Sequence, residues 1–197
     1  MSHCQLYVGL INADPFSPTR QTSYRASLNN TFFIIHEAYD RITRRNDIGL
    51  IRLARNIPFN NLVSAIALPS RSDVGNTFIN SQVRLSGFGV ASDSATERNW
   101  DLFFTTQTII DNAECVRLYG NSVVTAASMC NAGTGGRSSC NGDGGGPVAI
   151  TRNGSPVLVG IINFGSPLGC ERGIAQVNVR VTSYLDWIQT NSDVIIQ

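Results

Sequence analysis

Apolar residues recur along this chain in short blocks, and within most blocks they alternate with polar ones. The clearest are "FFIIH" (32–36), "DIGLIRL" (47–53), "VRLSGFGV" (83–90), "LFFTTQTII" (102–110), "PVLVGIINFG" (156–165) and "AQVNVRV" (175–181). A period of two places successive side chains on opposite faces, so half-buried β-strands are expected at these positions. The glycines inside "VRLSGFGV" mark a bulge or a tight bend. "RNGSP" (152–156) carries turn chemistry between two strand-like blocks and reads as a hairpin. Only the end of the chain changes period: in "TSYLDWIQTN", Tyr184, Leu185 and Ile188 fall at helical spacing behind Thr182 or Ser183 as N-cap. The pattern predicts an all-β protein with one C-terminal helix and no internal repeat.

Composition narrows this further. The 197 residues suit one domain or two small lobes, and 42 % hydrophobic against 15 % charged residues, with 18 glycines, fits a loop-rich β protein. A formal net charge of +1 gives no electrostatic basis for binding nucleic acid or an anionic membrane. Arg41, Arg44 and Arg45 form the only basic cluster and read as a solvated loop. No apolar run approaches the ~18 residues needed to span a bilayer. The stretch "MSHCQLYVGLINA" has neither a basic start nor a sustained apolar core, so it does not read as a signal peptide. The five cysteines are spread singly, and with two histidines (His3, His36) they argue against a zinc site and for disulfides formed in an oxidising compartment. Five is odd, so one cysteine lacks a partner. No acidic loop suggests calcium, and neither metal nor cofactor is expected. Asn29 ("NNT") and Asn153 ("NGS") are glycosylation acceptors by pattern, relevant to an exported chain.

Three short stretches gain meaning from their order. "SHC" (2–4) is followed by "NDIGLIRL" (46–53) and then by the turn "CNGDGGGP" (140–147). Histidine, aspartate and a nucleophile-bearing turn, in that order, form the chain order of one kind of catalytic triad. With "SGFG", "GIINFGSPLGC" and "RVTSYLDWI" also in sequence, the chain resembles the trypsin/chymotrypsin family of serine endopeptidases, most of all the chymotrypsin-like and collagenolytic enzymes of arthropods. The resemblance spans His3 to the C-terminal helix. It implies an all-β, chymotrypsin-like fold of two six-stranded barrels. The first is expected to be incomplete (about 1–90), the second to cover 91–180, and a helix to cover 182–191.

The resemblance also assigns roles. His3 matches the base, Asp47 the residue that orients it, and Gly142 and Gly144 the backbone donors of the oxyanion hole. Family members read G-D-S-G-G-P where this chain has Gly142-Asp143-Gly144-Gly145-Gly146-Pro147. Glycine therefore stands at the position of the serine nucleophile. Losing that serine in a comparable triad lowers kcat by about 2 × 10⁶, or ~8.6 kcal/mol. Ser138 and Ser139 precede Cys140, in the stretch that lines the specificity pocket, and are not expected to substitute.

Asp143 matches the carboxylate that pairs with a new ammonium when family members are activated by cleavage. Here Met1 lies two residues before His3 and its amino group is not expected to reach Asp143. An unpaired carboxylate should then swing outward or take a proton, collapsing the pocket into a zymogen-like shape. Missing opening strands should leave exposed sheet edges. An incomplete gene model accounts for this start better than a short product does, because it also explains the absent signal peptide. Family matching pairs Cys115 with Cys130 and Cys140 with Cys170, and leaves Cys4 unpaired.

For the pocket, the resemblance puts Ser138 at the floor and Gly165 and Gln176 at the walls, with no carboxylate to hold a basic side chain. An apolar or aromatic anchor is expected, with Gln176 narrowing the space. Asn163 and Phe164 replace the usual Ser-Trp on the segment that pairs with an extended peptide. The functional expectation is a non-catalytic, secreted, monomeric serine protease homologue that binds a protein, a peptide or a protease inhibitor. The alternatives are a secreted endopeptidase, should Gly144 be a variant of serine, and a decayed paralogue without selected activity.

Overall fold

A computed structural model describes residues 4–17 and 24–197 of the chain. The strands run in order β1 (Cys4–Val8), β2 (Tyr24–Leu28), β3 (Phe33–Ile35), β4 (Gly49–Ile51), β5 (Gln82–Gly87) and β6 (Phe103–Ile110). After helix α1 (Asn112–Tyr119) come β7 (Ser128–Asn131), β8 (Pro147–Arg152), β9 (Ser155–Phe164) and β10 (Gln176–Arg180), then helix α2 (Leu185–Asn191). Strands β5 to β10 close into an antiparallel barrel in the order β10-β7-β6-β5-β8-β9. β1–β2 and β3–β4 are separate two-stranded antiparallel ribbons.

Alternation builds the barrel as expected. On β5, Val83 and Leu85 point inward between exposed Gln82 and Arg84. They join Phe78, Ile109, Met129, Val148, Val157, Val159 and Ile162 in one core. The β8–β9 hairpin turns on Asn153 and Gly154, both at positive φ (51° and 79°), the twist that a two-residue turn between antiparallel strands requires. β5 stops at Gly87, where the carboxylate of Asp143 fills the space a side chain on Gly89 would need: a Cβ there would lie 2.6 Å from Asp143 Cγ.

β10 is buried on both faces. Val177 and Val179 join apolar clusters, while Asn178 and Arg180 bond to β7 and to loop carbonyls beside it. Asn178 donates to the Met129 carbonyl and to Asn131 Oδ1. The buried Arg180 guanidinium donates to the carbonyls of Asn76, Ala126 and Ser128. Burial lowers its pKa.

Helix α1 was not visible in the apolar pattern. Its signals are at its ends: Asp111 accepts the Ala113 N–H at 2.8 Å, Glu114 sits in the first turn, and Gly120 closes it at φ 85°. At the C-terminus, Thr182 and Ser183 are not the N-cap. Residues 181–184 wind into a 3₁₀ turn that buries Val181, Thr182 and Tyr184, and α2 begins one turn later at Leu185. Leu185 and Ile188 then pack with Ile48, Val179, Val181, Tyr184 and Ile196. This cluster holds the segment around Asp47 against the barrel. His36 completes the same seam, stacked on Trp187 at 5.1 Å and edge-on to Tyr184.

Candidate functional site

The turn 140–147 is held from both sides. The Cys140–Cys170 disulfide fixes its start, as the family pairing implied, and Cys115–Cys130 ties α1 to β7. Cys4 on β1 is a free thiol. Gly145 donates to the Ile162 carbonyl, Ile162 to that of Gly146, and Gly146 to that of Asp143, all at 2.8–2.9 Å. The turn is thereby bonded to β9.

Its glycines are not equivalent. Gly142 (φ 100°) and Gly145 (φ 86°) occupy left-handed backbone that side chains resist. A Cβ on Gly146 would lie 2.7 Å from the Ser86 carbonyl oxygen. Gly144 has no such reason to be glycine. Its φ lies outside the left-handed range, and a Cβ there would meet only the Asn163 carbonyl, at 3.8 Å. The exposed apex of the turn is shaped for a side chain and carries none. Among the described residues, neither the Gly142 nor the Gly144 N–H has a hydrogen-bond acceptor. The turn therefore offers two free donors without a nucleophile beside them.

Asp143 departs from the expectation of a carboxylate swung outward. Its oxygens accept the N–H of Gly89 and of Cys140, each at 2.8 Å. Backbone donors on both sides hold it inward, against the bend that Gly87 and Gly89 make possible. It borders a cavity of about 920 Å³ that is also lined by Phe103, Phe104 and Ser138.

His3 lies outside the described residues. Asp47 is half-buried just before β4. Burial pushes its carboxyl above the ordinary range, and the Arg44 charge draws it partly back. Next to it, Asn46 accepts a hydrogen bond from the Tyr184 hydroxyl at 3.0 Å. The preceding loop reaches the end of β9: the Arg44 guanidinium lies 5.3 Å from the centre of the Phe164 ring, which meets Tyr119 edge-on. Asn163 and Phe164 thus sit at the seam between the Asp47 segment and the barrel. Arg44 is exposed, as a solvated loop implies, with its guanidinium over Phe164.

Ser138 is half-buried, and its Oγ is without a partner among the described residues. Gln176 does more than narrow the pocket. Its Oε1 accepts both the N–H and the hydroxyl of Ser139, and its Nε2 donates to the Ser139 carbonyl at 2.7 Å. The same Nε2 presses on Gly165, where a Cβ would lie 2.7 Å away. Ser139, the partner that holds it there, was read from the sequence only as part of the stretch that lines the pocket. The Asp93 carboxylate lies beside Cys140 and Cys170, but those sulfurs are bonded to each other and offer no thiolate to a metal.

The comparisons with known proteins agree with this geometry. The family model described as Trypsin matches residues 2–188. Brachyurin from Leptuca pugilator is 36 % identical over 170 residues, which is 86 % of this chain and 71 % of that protein. Chymotrypsin from Phaedon cochleariae is 36 % identical over 169 residues, and the chain spans 58 % of its length. The solved structure of HL collagenase superimposes with a TM-score of 0.77 at 31 % identity, covering 87 % of this chain and 71 % of that one. With the family model matching nearly the whole chain and the fold shared with a solved structure at 31 % identity, the chain belongs to the trypsin family.

Proposed function

We propose that this chain is a non-catalytic member of its family, which binds an extended segment of a protein, a peptide or a protease inhibitor along the old substrate groove. The observation that carries this reading is Gly144, a position with room for a side chain and no hydroxyl to attack a carbonyl. The nearby hydroxyls do not replace it. Ser139 Oγ is donated to Gln176, and Ser138 Oγ is buried. Meanwhile the features that hold a peptide without cutting it persist: free N–H groups at Gly142 and Gly144, and the end of β9 at Asn163–Gly165 as a strand edge. The two disulfides and the kind of relatives the chain has support an extracellular setting.

The test pairs two measurements on the purified chain. A fluorophosphonate probe should leave no covalent adduct at 140–147, while a protein inhibitor that presents a substrate-like loop should bind saturably. An adduct on that turn contradicts the reading; so does the absence of binding across a panel of such loops.

A further inference from the structure

Gln176 is 4 % exposed, and all three hydrogen bonds of its side-chain amide go to one residue, Ser139. The amide lies between the Ser139 backbone and Gly165, the two surfaces an inserted side chain would have to separate. Displacing it would leave the Ser139 N–H and C=O buried without partners, which a large apolar ligand side chain cannot replace. A glycine or alanine needs no displacement.

We propose that Gln176 is a built-in plug of the anchor pocket, so that the groove accepts segments with glycine or alanine at the anchor position and rejects large or aromatic ones. This selectivity rests on the groove reading above; closure of the pocket by Gln176 does not. Recognition then comes from main-chain pairing with the end of β9 rather than from a buried side chain. The family's pocket ordinarily chooses a ligand by what it admits. Here the choice is made by what already fills it.

Indole, a neutral aromatic probe, reads the pocket directly through the amide NMR shift of Gly165, because Ser139 also lines the cavity of about 920 Å³. The native chain should show no saturable shift, whereas Gln176→Gly and Gln176→Ala, once shown to be folded by near-ultraviolet circular dichroism, should take up the probe. Saturable uptake by the native chain overturns the proposal, as does refusal by both folded variants. If neither variant folds, exchange of the Gln176 side-chain amide protons decides. Slow exchange supports the plug, and exchange at the rate of a free amide rejects it.

The ligand preference is tested with inhibitor loops that carry Gly, Ala or Phe at the anchor. The native chain should bind Ala at least ~10-fold more tightly than Phe, and Gln176→Gly should reverse the order. Equal affinity for Ala and Phe overturns the proposed selectivity. Binding of none of the loops, with indole behaving as expected, removes the groove reading and leaves the closed pocket standing.

Discussion

In the closed barrel, Val83, Leu85, Ile109, Val148, Val159 and Val177 are at most 2 % exposed. In the β3–β4 ribbon, Phe33, Ile35 and Ile51 are 36 %, 66 % and 46 % exposed, on strands of similar apolar character. Alternation assigns side chains to a face; it does not supply what covers that face. Six strands joined in a ring bring their inner faces together and pair each strand on both sides, with an edge left at the overhanging end of β9. Two-stranded ribbons keep both an edge and an uncovered face. The turn at 140–147 grows from the closed half, and Asp47 from the open one, so the two sides of the site rest on supports of different strength.

The sharpest way to break this comparison is a matched pair of truncations. Leu85→Ala should cost about 2–5 kcal/mol in urea unfolding, and Ile35→Ala less than ~0.5 kcal/mol. Similar costs would mean that the ribbon face is covered in solution. Next in size, Cys115→Ala with Cys130→Ala, which opens a link across 15 residues, should lower stability by about 3 kcal/mol without changing the β1–β4 amide exchange rates.

A smaller effect tests the outside of the barrel. Asp73 accepts two hydrogen bonds from Arg152, each at 2.8 Å, and two more from Ser70, which hold its carboxyl at about 2. A depressed pKa stabilises the folded chain above the ordinary carboxyl range, and that contribution is lost as pH falls toward 2. Asp73→Asn should therefore cost about 1–2 kcal/mol at neutral pH, since Arg152 is partly exposed, and the gap to the native chain should close between about pH 4 and 2. Thermal melts across that range check it. In the glycine turn, Gly145→Ala should lose about 1–2 kcal/mol because of its positive φ, while Gly144→Ala should change stability by less than ~1 kcal/mol. Equal losses would mean that Gly144 is required by the backbone after all.

The barrel was legible because its strands obey one period and its cysteines and turns fall in a known order. What the sequence hid was set by contacts between distant residues. Asp143 was expected to be unpaired, since its family partner is an ammonium; the N–H groups of Gly89 and Cys140 that receive it have no signature in a side-chain pattern. Gln176 could be matched to the pocket wall, but that it would lie across the pocket depended on Ser139 facing it with N–H, hydroxyl and carbonyl together. Helix α1 went unread because its evidence is the Asp111 cap and Gly120 rather than an apolar stripe. The late start of α2 follows from burial of the preceding turn, which overrides local capping at Thr182 and Ser183.

The most direct measurement is hydrolysis by a homogeneous sample whose mass confirms glycine at 144, assayed with a peptide library that varies every anchor residue. The account predicts intact peptides at long times. Cleavage at the turnover of an ordinary endopeptidase, about 1–10³ per second, would contradict it.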